Sequence, residues 1–225
     1  MNSDSDILRK YKKFRELVKE LQTDALGELS KLTILQAGRK LGMMGRGNTL
    51  IFDSEAEADI LADFALWEFS YGGTTVIKKY LERISSSNES EGEVDDIKKE
   101  LVEGMQKAFS SLFEIVIVLE DGILIRDVLS DENPVYTLVD IGIIQTGVED
   151  ALLFTRLIPL TDFCISCGTL FPFRGESKSL LIAKYKKEVS RVKKRKAGVK
   201  MYAMFYRQWK KIGIPFEYRD FSVVS

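Results

Sequence analysis

The chain has 225 residues, with 33 Lys or Arg, 34 Asp or Glu, no His, a formal net charge of −1 and 45% hydrophobic content. Such a composition suits one large or two small globular domains, burying roughly 70% of the unfolded surface without help from disulfides or metals. Without histidine there is no His general base, no Ser-His-Asp or Cys-His pair and no His metal ligand, which leaves metal-dependent or acid/base catalysis to carboxylates, Lys or Tyr.

No apolar run approaches the roughly 20 residues that span a bilayer. The opening MNSDSDILRKYKK lacks the hydrophobic stretch of a signal peptide. With only two cysteines, the expected location is a reducing one, most simply a bacterial or archaeal cytoplasm, with no membrane partner.

Over 5–22, Ile7, Leu8, Tyr11, Phe14, Leu17, Val18 and Leu21 recur at helical spacing. A second helix is predicted over 24–41, and Gly38, Gly42, Gly45 and Gly47 turn the chain into a loop. Ser54 and Glu57 fit a capping box for a third, largely buried helix running to about Phe69. A short helix TVIKKYLERI follows, then a polar acidic loop over 85–96, then a helix over about 95–110.

From Leu112 the texture changes. LFEIVIVL, a turn at Asp121-Gly122 and ILIRDVL read as a hairpin, with Asp-Gly supplying positive backbone dihedrals. VYTLVDIGII, ALLFTRLIP and DFCISCGTLFPF complete about five short strands joined by the turns DENP and GVED. Loops this short predict an antiparallel sheet, with closure into a small barrel as one form. Phe113, Ile115, Ile117 and Leu119 should share one face; since Val116 and Val118 are apolar too, both faces should be covered. From Glu176 the chain is helical again, with a break near Gly198 and an end at Gly213-Ile214-Pro215. The class is α+β: a mainly helical 1–111, an antiparallel β region 112–174 and a basic helical 175–225, forming one compact unit.

Three short motifs invite chemistry and receive structural explanations. Gly42 to Thr49 has phosphate-loop spacing, but Asn48 replaces the lysine that would reach the phosphates and a helix precedes it, so a glycine connector is expected. Cys164 and Cys167 have zinc or redox spacing without a second ligand pair. Three apart in a strand, they should point to opposite faces as buried thiols. Asp127, Asp131, Glu132 and Asp140 could chelate a hard cation, yet turns recruit Asp for backbone geometry alone. No cofactor or metal is expected.

Residues 184–211 are different. Twelve Lys or Arg stand there against Glu188 alone, leaving 21 basic and 33 acidic residues for the rest of the chain. Tyr202, Phe205, Tyr206, Trp209 and Ile212 form an apolar helical face, and cations fill the remaining circumference. Lys186, Lys187, Arg191, Lys193, Lys194, Arg195, Lys196 and Lys200 are the candidate site for nucleic acid or another acidic macromolecule. Burying four successive unpaired cations is prohibitive, so residues 193–196 should be exposed. Two alternatives stay open: a protein–protein adaptor or dimerising protein that docks through the aromatic face, and a carboxylate-based enzyme.

From Ile60 to about Phe173, DILADFALWEF, YGGTT, IKKYLER, FSSLFEIVIVLEDGILIRDVLSDENPVYTLVD and GVEDALLFTRLIPLTDF follow in an order that resembles an uncharacterised bacterial α+β family, often joined to a SEC-C zinc-binding tail. The chain ends EYRDFSVVS without that tail's clustered cysteines, so the resemblance implies neither a metal site nor an activity here.

Overall fold

A computed structural model describes residues 6–70, 73–86, 93–146, 150–189, 192 and 194–215, with side chains throughout except at 93–95, 144–146 and 194–195. The predicted periodicity places α1 at Asp6–Leu26, with Tyr11, Phe14, Val18 and Leu21 along its buried stripe. Gly27 interrupts the chain before α2 (Lys31–Leu41), which starts only where the Ser30 side chain accepts from Thr33 N. Gly42, at φ 84°, closes α2 in the left-handed conformation. α3 spans Ala56–Trp67, α4 Val76–Ser85 and α5 Glu93–Gln106. The Ser54–Glu57 capping box expected at α3 does not form: the cap residue is Glu55, which makes no side-chain bond, and Glu57 Oε2 accepts instead from Asp53 N at 2.6 Å.

The sheet comprises β1 (Phe109–Val118), β2 (Ile123–Asp127), β3 (Val135–Val139), β4 (Ala151–Pro159) and β5 (Cys164–Arg174). Its order β1-β2-β3-β5-β4 closes on itself, because β1 also pairs with β4. The closure is irregular. All junctions are antiparallel except β3–β5, a parallel contact with two registered pairs, Leu138↔Cys164 and Val139↔Ile165. That junction corrects the expectation of a wholly antiparallel sheet. It arises because VYTLVDIGII is not one strand: β3 stops at Val139 and α6 (Ile141–Thr146) follows, its start capped by Asp140 Oδ1 accepting from Ile143 N. The turn expected at GVED lies mostly outside the described residues. The Asp121-Gly122 turn exists but neither residue has positive φ. Gly122 serves close approach instead, since a Cβ there would sit 2.9 Å from Leu138 O.

Two helices complete the fold, α7 (Lys178–Glu188) and α8 (Lys194–Ile212). The break falls before Lys194, not at Gly198, which lies within α8 where a side chain would strike Glu68.

Every residue of β4 from Ala151 to Ile158 is buried, and alternate positions serve different cores. Leu153 and Leu157 enter the barrel with Phe113, Ile125, Leu138 and Cys164. Leu152 and Phe154 face α2, α3 and α8 in a second cluster. Ile158 joins Phe14, Leu21, Leu101 and Cys167 under α1 and α5. The two cysteines therefore do face opposite sides of β5, both as free buried thiols. Coverage of β1 is incomplete, contrary to expectation. A bulge between Ile115 and Ile117 breaks the predicted face, and Val116 to Leu119 are exposed.

Candidate functional site

α8 is fixed by aromatic packing. The Phe205 ring stacks on Phe154 with centroids 4.3 Å apart, and Trp209 and Tyr202 each lie 5.4 Å from Phe171. Tyr202 to Tyr206 are all buried. The middle of α8 is thus enclosed all round, by β5, α2 and α7, instead of presenting one greasy stripe. Most of the apolar face predicted on α8 packs against the protein's own body. Cations are confined to the two ends of the helix.

At the C-terminal end Arg207 and Lys210 are paired, while the exposed Lys211 makes no ion pair among the described residues. Glu57, almost fully buried, accepts from Lys210 Nζ at 2.6 Å and Tyr206 Oη at 2.5 Å, and Lys210 also contacts Asp53. Burial alone would raise the Glu57 carboxyl, but the bonds from Lys210, Tyr206 and the Asp53 amide outweigh it and hold it below its ordinary range. The same network lifts Lys210 above the usual lysine value in spite of desolvation.

The N-terminal end is different in kind. α8 opens Lys194-Arg195-Lys196 with no acidic residue in its first turn. Lys196 and, one turn on, Lys200 are exposed. The Arg207–Glu188 ion pair, at 3.4 Å, holds the last turn of α7, with the exposed Lys186 and Lys187, against the C-terminal half of α8. Among the described residues Lys187, Lys196 and Lys200 make no ion pair. Of the other predicted site residues, Arg191 and Lys193 lie outside the described residues, as do the side chains of Lys194 and Arg195.

A second polar centre escaped sequence reasoning. Arg156, 3% exposed, projects outward from β4 and pairs with Asp63 at 2.7 Å and Glu68 at 2.8 Å, while its guanidinium lies 4.6 Å from the Trp67 ring centroid. Burial opposes its charge, but the two carboxylates more than compensate and raise its pKa above the ordinary guanidinium value. Asp63 Oδ2 accepts from Thr169 Oγ1 at 3.3 Å, and Thr169 Oγ1 accepts from Tyr202 Oη at 2.9 Å. Ser110 donates to Glu68 Oε1 at 2.9 Å. Beside it, burial pushes the Cys167 thiol up to about 12, partly opposed by Arg156; burial likewise takes Cys164 to about 11. Such thiols are poor nucleophiles at neutral pH.

A cleft of about 220 Å³, lined in part by Gln22, Asp59, Asp63 and Thr169, opens beside the cluster. Both Asp63 oxygens are already engaged. The cluster can clamp α3 to β4 and β5. The available signal was a single arginine in the apolar ALLFTRLIP, matched by acidic residues within the apolar DILADFALWEF. Of the other carboxylates singled out, Asp127 and Asp140 are structural: Asp127 Oδ1 accepts from Ser111 Oγ at 2.6 Å and Leu129 N at 2.9 Å, and Asp140 caps α6, while Asp131 and Glu132 are exposed. The glycine loop forms a helix-closing turn in which Arg39 donates to Asn48 at 2.6 Å. Among the described residues no group of three potential ligands surrounds a common point, and no helix is long and apolar enough to cross a membrane.

A family model described as a family of unknown function (DUF7986) matches residues 5–219, meeting the expected kinship with an uncharacterised family in that coarser form. No curated protein and no solved structure matches the chain.

Proposed function

The chain belongs to the DUF7986 family, which transfers no activity to it, and from its geometry we propose a non-catalytic module that binds a polyanion, most simply nucleic acid, along the junction of α7 and α8. The observation that carries this is the start of α8. Helix N-termini already bear about half a positive charge, so a cation there costs stability, typically about 0.3–1 kcal/mol at low salt. Here the first turn is Lys194-Arg195-Lys196, with no acidic residue to offset it.

Charges that only kept the helix soluble would be mixed in sign and placed with the dipole. Lys186 and Lys187, in the last turn of α7, do agree with their dipole and need no partner to explain them. Those at the start of α8 oppose theirs, and a cationic first turn of this kind suits phosphates.

Lys196→Glu separates a binding role from a structural one. It should raise the melting temperature slightly, because an anion suits a helix N-terminus. The same change should weaken nucleic-acid binding several-fold. A variant that loses stability while binding RNA and DNA like the wild type would reject the proposal.

A further inference from the structure

The β1–β2 hairpin leaves part of the barrel unfinished. β4 pairs with β1 only as far as Glu114↔Leu152, whereas β2 follows β1 to Val118. Among the described residues, the β4-side edge of residues 115–118 therefore has no strand partner. The side chains on that ribbon are bare as well: Val116, Ile117, Val118 and Leu119 are 37%, 51%, 42% and 42% exposed.

Natural edge strands are commonly blunted with Lys, Pro or an inward charge, and none occurs between Ile115 and Leu119. The bulge between Ile115 and Ile117 sits where the ribbon parts from β4. Beside the parting lies a groove of about 600 Å³ lined by Ile115, Ala151, Leu152 and Ile214, with Asp150, Arg174 and Glu176 at its polar wall.

We propose that this edge accepts an extended peptide strand of a partner protein, apolar in its centre and cationic at its ends, by β-addition. Main-chain bonds to the free edge would supply affinity, and the groove would take alternate side chains. Charge chooses the partner. Glu114 is already neutralised by Lys178 and Arg126. Glu120, Asp121, Asp150 and Glu176 have no ion pair among the described residues, against Arg174 alone. A second copy of this chain would bring the same acidic hairpin tip to the contact, which like-charge repulsion disfavours.

The probe is a labelled peptide alternating valine and threonine between lysine ends, compared with a glutamate-ended version and one N-methylated along a single edge. The lysine peptide should bind saturably and slow amide exchange at residues 115–118, with the glutamate peptide about tenfold weaker. N-methylation, or Ile117→Lys in the protein, should abolish binding; Ile117 is half exposed, so that variant should keep its circular dichroism. Absence of saturable binding, or equal binding of all three peptides, would overturn the inference. So would a wild-type dimer that Ile117→Lys dissociates, because the edge would then belong to a second copy.

Discussion

Arg156 is a charge taken out of water and then fully compensated, with one carboxylate on each side and an indole ring within 5 Å. Such a centre adds little net stability over an apolar substitute, but breaking it is costly because a buried charge is left alone. Arg156→Met should therefore lower unfolding stability by about 3–5 kcal/mol in urea titration, and adding Asp63→Leu should recover part of that loss. If the double variant is less stable by the sum of the single effects, the clamp is not a coupled unit. Glu57 gives a pH test. Its folded pKa is depressed, so its contribution is present above the unfolded carboxylate value and lost as pH falls through the folded one. Between about pH 7 and pH 3, wild type should lose more stability than Glu57→Gln, and parallel profiles would contradict the assignment.

At the scale of elements, β5 shows how one residue shapes a strand. Between Phe154↔Phe171 and Arg156↔Cys167 its register slips, and the slack contains Gly168 at φ +81°. A Cβ there would collide with the Asp63 carboxylate, lying 2.7 Å from its Cγ. The irregularity lets Thr169 and Arg156 converge on the same aspartate. Gly168→Ala should cost about 2 kcal/mol or more, combining left-handed strain with that collision; a change under about 0.5 kcal/mol in chemical denaturation would refute the account. None of this was legible in CISCGTLFPF, which reads as an uninterrupted strand. Helical periodicity did reveal α1, whose burial pattern repeats locally, and the Asp-Gly turn between apolar runs revealed the β1–β2 hairpin. The β3–β5 contact was hidden because it joins distant segments through two residue pairs. The start of α6 was hidden because DIGIIQ is rich in β-branched residues, and only Asp140 as a cap betrays the helix. Arg156 was visible as an anomaly, but its partners lie 93 and 88 residues away.

For the whole molecule, a net charge of −1 conceals a basic α7–α8 end on an otherwise acidic body. The fold sharpens that division. It buries the middle of α8, pairs Lys210 and Arg207 with carboxylates, and leaves Lys187, Lys196 and Lys200 exposed without ion pairs among the described residues. A polyanion held by such a surface must displace counterions, so its affinity carries a measurable salt signature. The decisive measurement is the slope of log affinity against log salt for a single-stranded RNA, in wild type and in a variant with Lys186, Lys187, Lys196 and Lys200 all changed to Gln. The slope should be clearly negative in wild type and shallower by about 0.7 for each lysine that contacts phosphate, with folding unchanged. Identical slopes in the two proteins, or no wild-type binding at about 50 mM salt, would contradict polyanion binding at this junction.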